Sequence, residues 1–185
     1  MFNRDNRFTI GIGTRRDVMQ LGAQLTTDEG IMTRSFASSG VLNSGNNFNL
    51  SSVNQTSAFA AIDPFKNFTV RLDATYQTIK SANPTKFSLD FYQNNQLFSE
   101  LKDSKLALSI TARPGAKFSQ YGVDRYEHST LAPTFVLKYT RGLEGVFNAD
   151  FNYNKLQFYY YQPFLLKSFG RVILNVEACK NFNTV

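Results

Sequence analysis

The 185-residue sequence contains one cysteine, one histidine and no tryptophan. A single thiol, Cys179, excludes an internal disulfide, and one His with one Cys makes no zinc-ligand pattern. Neither a metal nor a cofactor is expected. No stretch approaches the roughly 18 consecutive apolar residues that a membrane-crossing helix needs, and mean hydropathy is −0.29. No segment patterns as an amphipathic helix. The opening residues, Met1-Phe2-Asn3-Arg4-Asp5-Asn6-Arg7, lack the apolar stretch of a secretory signal peptide. Dense basic runs are also missing. The net charge is +6 and the pI about 9.5, yet Arg15-Arg16 is the one adjacent basic pair. Scattered charge of this kind argues against nucleic-acid binding. It suits a solvated surface, or the rim of a barrel in contact with anionic lipid head groups.

What the chain has in plenty is aromatic residues, 15% of the total as Phe 18 and Tyr 9. Strands favour aromatic and β-branched residues, so this enrichment points to an all-β fold. Hydrophobic residues at 42% with charged residues at 18% exclude a disordered chain.

Alternation carries the architecture. From Asn67 to Lys80, Phe68, Val70, Leu72, Ala74 and Tyr76 share one face; Thr69, Arg71, Asp73, Thr75 and Gln77 share the other. Successive side chains of a strand point to opposite faces, so this segment makes an apolar band backed by a polar one. Its length matches a tilted membrane-spanning strand of roughly 9–11 residues. The pattern recurs in Thr85–Tyr92, where Phe87, Leu89 and Phe91 alternate with Lys86, Ser88 and Asp90. It recurs in Ser104–Arg113, with Leu106, Leu108 and Ile110 against Lys105, Ser109 and Arg113. Thr134–Arg141 sets Phe135, Leu137 and Tyr139 against Val136 and Lys138. Gly170–Cys179 sets Val172, Leu174, Val176 and Ala178 against Arg171, Asn175 and Glu177. Asp150–Gln162 reads as a further strand whose aromatic cluster, Phe158–Tyr161, leaves its faces open.

Residues 1–66 are less sharply patterned. Phe8, Ile10 and Ile12 alternate with Thr9, Gly11 and Gly13, and Leu21, Ala23 and Leu25 with Gln20, Gly22 and Gln24. Thr26–Leu50 is rich in Ser, Gly and Asn, and Val53–Ile62 is a candidate strand. Breakers at Ser81-Ala82-Asn83-Pro84, Asn94-Asn95, Pro114-Gly115 and Gly142/Gly145 join the strands as an antiparallel meander. The link from Arg113 to Thr134 is long where a barrel's alternation of short turns and long loops calls for a short one. Continuation of the Ser104 strand through Ala116-Lys117-Phe118 would shorten it.

The second half resembles a family of large outer-membrane proteins of Bacteroidota. The resemblance lies in Ala112-Arg113-Pro114-Gly115-Ala116-Lys117-Phe118, in Ala132-Pro133-Thr134 through Gly142-Leu143-Glu144-Gly145, and in Asp150-Phe151-Asn152-Tyr153-Asn154-Lys155-Leu156. It continues in Gly170-Arg171 and in Glu177-Ala178-Cys179-Lys180 through Val185. It covers roughly Asn67 to the end. Members usually have glycine where this chain has Cys179 and Asn183, and a proline after the position of Val185. The resemblance implies a partial β-barrel domain, residues 1–185, cut from a longer protein. A signal peptide and a carboxypeptidase-like regulatory domain are expected upstream. It implies no assigned reaction, since that regulatory domain is a small β-sandwich without a peptidase site.

Chemistry is thinly represented. A Ser-His-acid site would have to use His128, in Asp124-Arg125-Tyr126-Glu127-His128-Ser129. A local polar run carries none of the required geometry and reads as a loop. Gly11-Ile12-Gly13 matches the start of a dinucleotide fingerprint, but no third glycine and no helix follow; glycines in a strand more often ease curvature. No catalytic residue is assigned.

The informative constellation is the pair of faces. Arg71, Asp73, Lys86, Asp90, Lys105, Arg113, Lys138, Arg171 and Glu177 are expected to line a lumen. Phe68, Val70, Leu72, Tyr76, Phe87, Leu89, Phe91, Leu106, Leu108, Ile110, Phe135, Leu137, Tyr139, Val172, Leu174 and Val176 are expected to face lipid. The expected function is that of a non-enzymatic integral barrel of the cell outer membrane, in export, transport or envelope assembly. Its partners would be outer-membrane lipid and other envelope proteins. The alternative is a soluble lipocalin-like barrel whose apolar face points inward and binds an apolar ligand. Alternation is common to both, because it does not say which face is inside.

Overall fold

The computed structural model describes residues 8–20, 50–86, 88–93, 96–121, 124–128, 131–167 and 170–182. The strands are β1 (Phe8–Gln20), β2 (Leu50–Phe65), β3 (Phe68–Ser81), β4 (Phe91–Gln93), β5 (Gln96–Phe98) and β6 (Glu100–Ala112). They continue as β7 (Phe118–Tyr121), β8 (Asp124–Glu127), β9 (Thr134–Gly142), β10 (Asn154–Leu165) and β11 (Arg171–Phe182). Seven of them form one sheet in the order β1-β2-β3-β6-β9-β10-β11. Every seam is antiparallel. The chain is thus an all-β antiparallel meander, as its alternation indicates. Among the described residues the sheet is open, with β1 and β11 at its edges rather than paired to each other.

The sheet strands differ in length. They reach 16 residues in β2, 14 in β3 and 13 in β6, against 9 in β9. The expected strands at Asn67–Lys80, Ser104–Arg113, Thr134–Arg141 and Gly170–Cys179 all fall on sheet strands. Val53–Ile62 proves to be the middle of β2. The alternation at Leu21–Leu25 lies outside the described residues.

Two short stops mark one end of the sheet. Lys66-Asn67 turns β2 into β3, with Asn67 at φ 65°, a left-handed conformation that Asn tolerates better than most residues. Just before it the register shifts between Ile62 and Phe65, at the bulge that accommodates Pro64. The β10–β11 turn closes with Leu166 N–H donating to Gly170 O (2.8 Å), and Gly170 sits at φ 107°. Pro163 in β10 is tolerated because the pairing with β9 has already ended at Tyr161; on the β11 side it still faces Ile173.

Three differences from the sequence reading have physical causes. Residues 85–92 do not make a long strand: 84–86 form a turn, 88–90 are irregular, and only Phe91–Gln93 is extended, paired to β5 in a separate small sheet. The local alternation there is real, but alternation within a segment does not determine which strand it pairs with. Residues 150–153 lie in a connection, and the strand begins at Asn154. The Ser104 strand stops at Ala112 and does not continue to Phe118. Pro114 and Gly115 (φ 77°) turn the chain into the β7–β8 hairpin, which fills the long connection to β9.

Two aromatic rings, Phe59 of β2 and Tyr153 of the β9–β10 connection, lie close against strand glycines. A Cβ at Gly11 would collide with the Phe59 ring, and one at Gly142 with the Tyr153 ring. Such pairs let an aromatic cover backbone that a glycine exposes. Gly13, two residues along the same face of β1, meets only Ser57 Oγ at 3.9 Å. Gly11→Ala is therefore expected to lower unfolding stability by about 1–3 kcal/mol, and Gly13→Ala to change it by less than about 0.5 kcal/mol. Urea unfolding of the two variants checks the difference.

Candidate functional site

The register sorts the sequence into two faces. One row crosses all seven strands as Phe8, Ile62, Val70, Ile110, Leu137, Phe158 and Ala178. The next row is Ile10, Ala60, Leu72, Leu108, Tyr139, Leu156 and Lys180. Towards the Lys66-Asn67 turn lie Phe65, Phe68, Ala112, Phe135, Tyr160 and Val176. These positions make one continuous apolar face.

The opposite face is polar. One of its rows reads Thr9, Ala61, Arg71, Ser109, Lys138, Gln157 and Cys179. Burial runs opposite to hydropathy. Leu72, Leu137 and Leu174 on the apolar face are 43%, 44% and 45% exposed, while Asp103 and Gln157 on the polar face are 5% and 2% exposed. In a soluble domain the large apolar side chains are the ones withdrawn from water.

Asp103 organises the polar face at the end away from the Lys66-Asn67 turn. It accepts from Gln77 Nε2 at 3.1 Å and from Tyr153 Oη at 3.3 Å, and Lys105 Nζ lies 3.7 Å away. A buried carboxylate is tolerable only with such partners. The connection from β9 to β10 folds onto the same place. Leu143 N–H donates to Ser104 O (2.8 Å), Asp150 N–H to Lys102 O (2.9 Å) and Gly142 N–H to Tyr153 O (2.8 Å). Lys102 N–H donates to Asp150 Oδ2 (2.7 Å) and Ser104 Oγ to Val146 O (2.8 Å). The connection thereby takes up backbone groups of β6 that β9, ending at Gly142, leaves behind.

Mid-sheet, Arg71 Nε donates to both carboxylate oxygens of Asp73 (2.9 and 3.0 Å), and its Nη2 donates to Oδ1 (2.7 Å). The Arg71 guanidinium also stacks 4.0 Å from the centre of the Phe59 ring. Farther along, Arg171 Nη2 donates to Tyr161 Oη (2.8 Å), and Tyr159 Oη to Asn175 Oδ1 (3.1 Å). Glu177 lies opposite Tyr159. In β10 the ambiguity of the aromatic cluster resolves by register: Phe158 and Tyr160 join the apolar face, Tyr159 and Tyr161 the polar one.

The structure gathers Arg71, Asp73, Lys105, Lys138, Arg171 and Glu177 on the polar face, with Arg113 one residue past the end of β6. It puts Lys86 and Asp90 elsewhere, exposed in the β3–β6 connection. The expected apolar residues of β3, β6, β9 and β11 lie on the apolar face. Leu89 and Phe91 do not belong to it, and Phe91 stacks on Phe98 (5.6 Å) in the small sheet. Phe87 lies outside the described residues. His128 is exposed beyond β8, and Gly11 and Gly13 are in mid-strand with no helix after them. Among the described residues no group of three His, Cys, Asp or Glu side chains could hold a metal.

Sequence reading missed Asp103, Gln157, Phe59 and Tyr153. Asp103 and Phe59 share parity with polar-face residues of their strands, a signal visible once the strands are extended to their full lengths. Tyr153 reaches the face from a connection, which parity does not index.

A family model described as the family of unknown function (DUF5686) C-terminal domain matches residues 39–185, a span that takes in every strand but β1. No curated protein and no solved structure matches the chain.

Asp103→Ala is expected to cost about 3–5 kcal/mol, the range for breaking a buried charged network. Asp73→Ala, in a more exposed pair, should cost about 1 kcal/mol or less. Denaturant titration of both variants under one condition tests the ranking.

Proposed function

The chain belongs to this family of unknown function, and we propose that it is a segment of membrane-embedded β-barrel wall in a bacterial outer membrane, non-enzymatic, serving export, transport or envelope assembly. The observation that carries this reading is the unbroken apolar row from Phe8 to Ala178, which lies on the exposed face while the charged side chains pair with one another on the other. A single sheet whose apolar face is turned outward finds its natural solvent in hydrocarbon. The polar face then lines a lumen, where Arg71–Asp73 stays partly solvated and the Asp103 cluster stays paired.

Further features support the reading. The main strands, 9–16 residues long, are long enough for a tilted crossing of the bilayer. Aromatics flank the apolar rows at both ends, as in the girdles of outer-membrane barrels. Phe65 and Phe68 pack together (6.2 Å) at the turn end; Tyr76 packs on Phe147 (5.7 Å) at the other. A helix long and apolar enough to cross a membrane is absent from the described residues, which leaves strand crossing untouched. The soluble lipocalin-like alternative would turn the apolar face inward, and no observation favours it over the outward arrangement.

The test exploits the two faces of β3. Leu72→Arg should disfavour insertion into lipid vesicles by about 2–4 kcal/mol. Thr75→Arg, on the polar face, should be far better tolerated. Equal effects of the two substitutions in a vesicle-folding assay would sink the assignment of faces.

A further inference from the structure

The apolar face changes character at the end away from the Lys66-Asn67 turn. On three neighbouring strands its margin carries Arg141 of β9, Asn154 of β10 and Lys180 of β11. Arg141 and Asn154 are register partners, and Lys180 pairs with Leu156, the next outward position on β10. Both cationic side chains are exposed. Tyr139 Oη donates to Asn154 Oδ1 at 2.7 Å. That bond occupies the amide oxygen and leaves the Asn154 Nδ2–H₂ group as an outward donor. Lys180 Nζ rests 5.2 Å from the Phe182 ring centre, held beside the apolar surface rather than against a carboxylate. Among the described residues neither Arg141 nor Lys180 is held in an ion pair, and the outward positions of β9, β10 and β11 carry no Asp or Glu. The nearest acid along the chain from Arg141, Glu144, belongs to the connection beyond the strand.

Immediately next to this margin the apolar rows resume, with Leu137, Leu156, Phe158 and Val176. Two cations and an amide donor beside an apolar surface match an amphiphile with a phosphate at its head and hydrocarbon behind it. A free phosphate would leave the hydrocarbon part of this surface unused. Long basic side chains at such a boundary extend their charge to the interface while their stems lie on apolar surface.

We propose that Arg141, Asn154 and Lys180 form a binding site for the phosphate of an anionic membrane lipid whose acyl chains lie along the adjoining apolar rows. This rests on the membrane reading above, and the test separates the two. The chain has no Trp, so Leu156→Trp gives a single reporter beside the site. In vesicles containing brominated lipid, the quenching of that Trp reports which lipid occupies the position.

Brominated phosphatidylglycerol is expected to be preferred over brominated phosphatidylcholine, by about fivefold for each basic side chain engaged. In the reporter background, Arg141→Gln with Lys180→Gln should bring the preference to about one, Arg141→Lys should keep most of it, and Lys86→Gln, outside the main sheet, should leave it unchanged. Equal quenching by the two lipids in the parent reporter chain overturns the site while leaving the membrane reading standing. So does a preference that survives the double substitution. Displacement of the brominated anionic lipid by soluble glycerol phosphate would reassign the site to a free phosphate. Quenching by neither lipid would mean that this face does not meet the bilayer, and both proposals would fall together.

Discussion

Antiparallel register is the constraint on which everything else in this chain depends. With side chains alternating every residue, a slip of one position in any seam would move that strand's apolar set to the polar face. The row from Phe8 to Ala178 exists because all the seams are in step. Even the irregularity at Asp63-Pro64 falls where it does no harm, after Ile62 has taken its place in that row and before the turn. The Thr69 hydroxyl donates to Asp63 Oδ1 (2.6 Å) across the bulge, so the extra residue is held rather than loose.

A lone sheet has no facing layer to pack against, and this one makes its own cover on the polar side. Phe59 lies over Gly11 with Arg71 on the ring, and Tyr153 lies over Gly142 while reaching Asp103. In both places an aromatic bridges a hydrophobic contact and a charged group. The polar face is therefore neither a wet surface nor a dry core. It is a layer of long side chains satisfying one another's charges, and that explains why Asp103, Thr140 and Gln157 are buried while leucines are exposed.

How much of this could be read in the sequence follows from the range of each signal. Alternation is a local property, and it located the strands around Leu72, Leu108, Leu137 and Leu174 with their faces assigned. It misplaced Leu89 and Phe91 because parity says nothing about which sheet a short extended segment joins. It also stopped short at strand ends, where charged residues or serines break the alternation, so Glu100–Asp103 and Leu50–Ser52 went unassigned. The Asp103 cluster was out of reach for a different reason. Gln77, Asp103 and Tyr153 come from two strands and a connection, and only the register brings them together.

The edges of the sheet carry a last consequence, one of counting. In a meander every strand reverses its predecessor, so the first and seventh strands, β1 and β11, point the same way. Joining them directly would make a parallel seam in an otherwise antiparallel ring. A ring antiparallel throughout has an even number of staves. These seven can belong to one only if an odd number of others stands between β11 and β1. Parity, which sorts residues between faces within each strand, thus also restricts the circumference of any such ring that contains them.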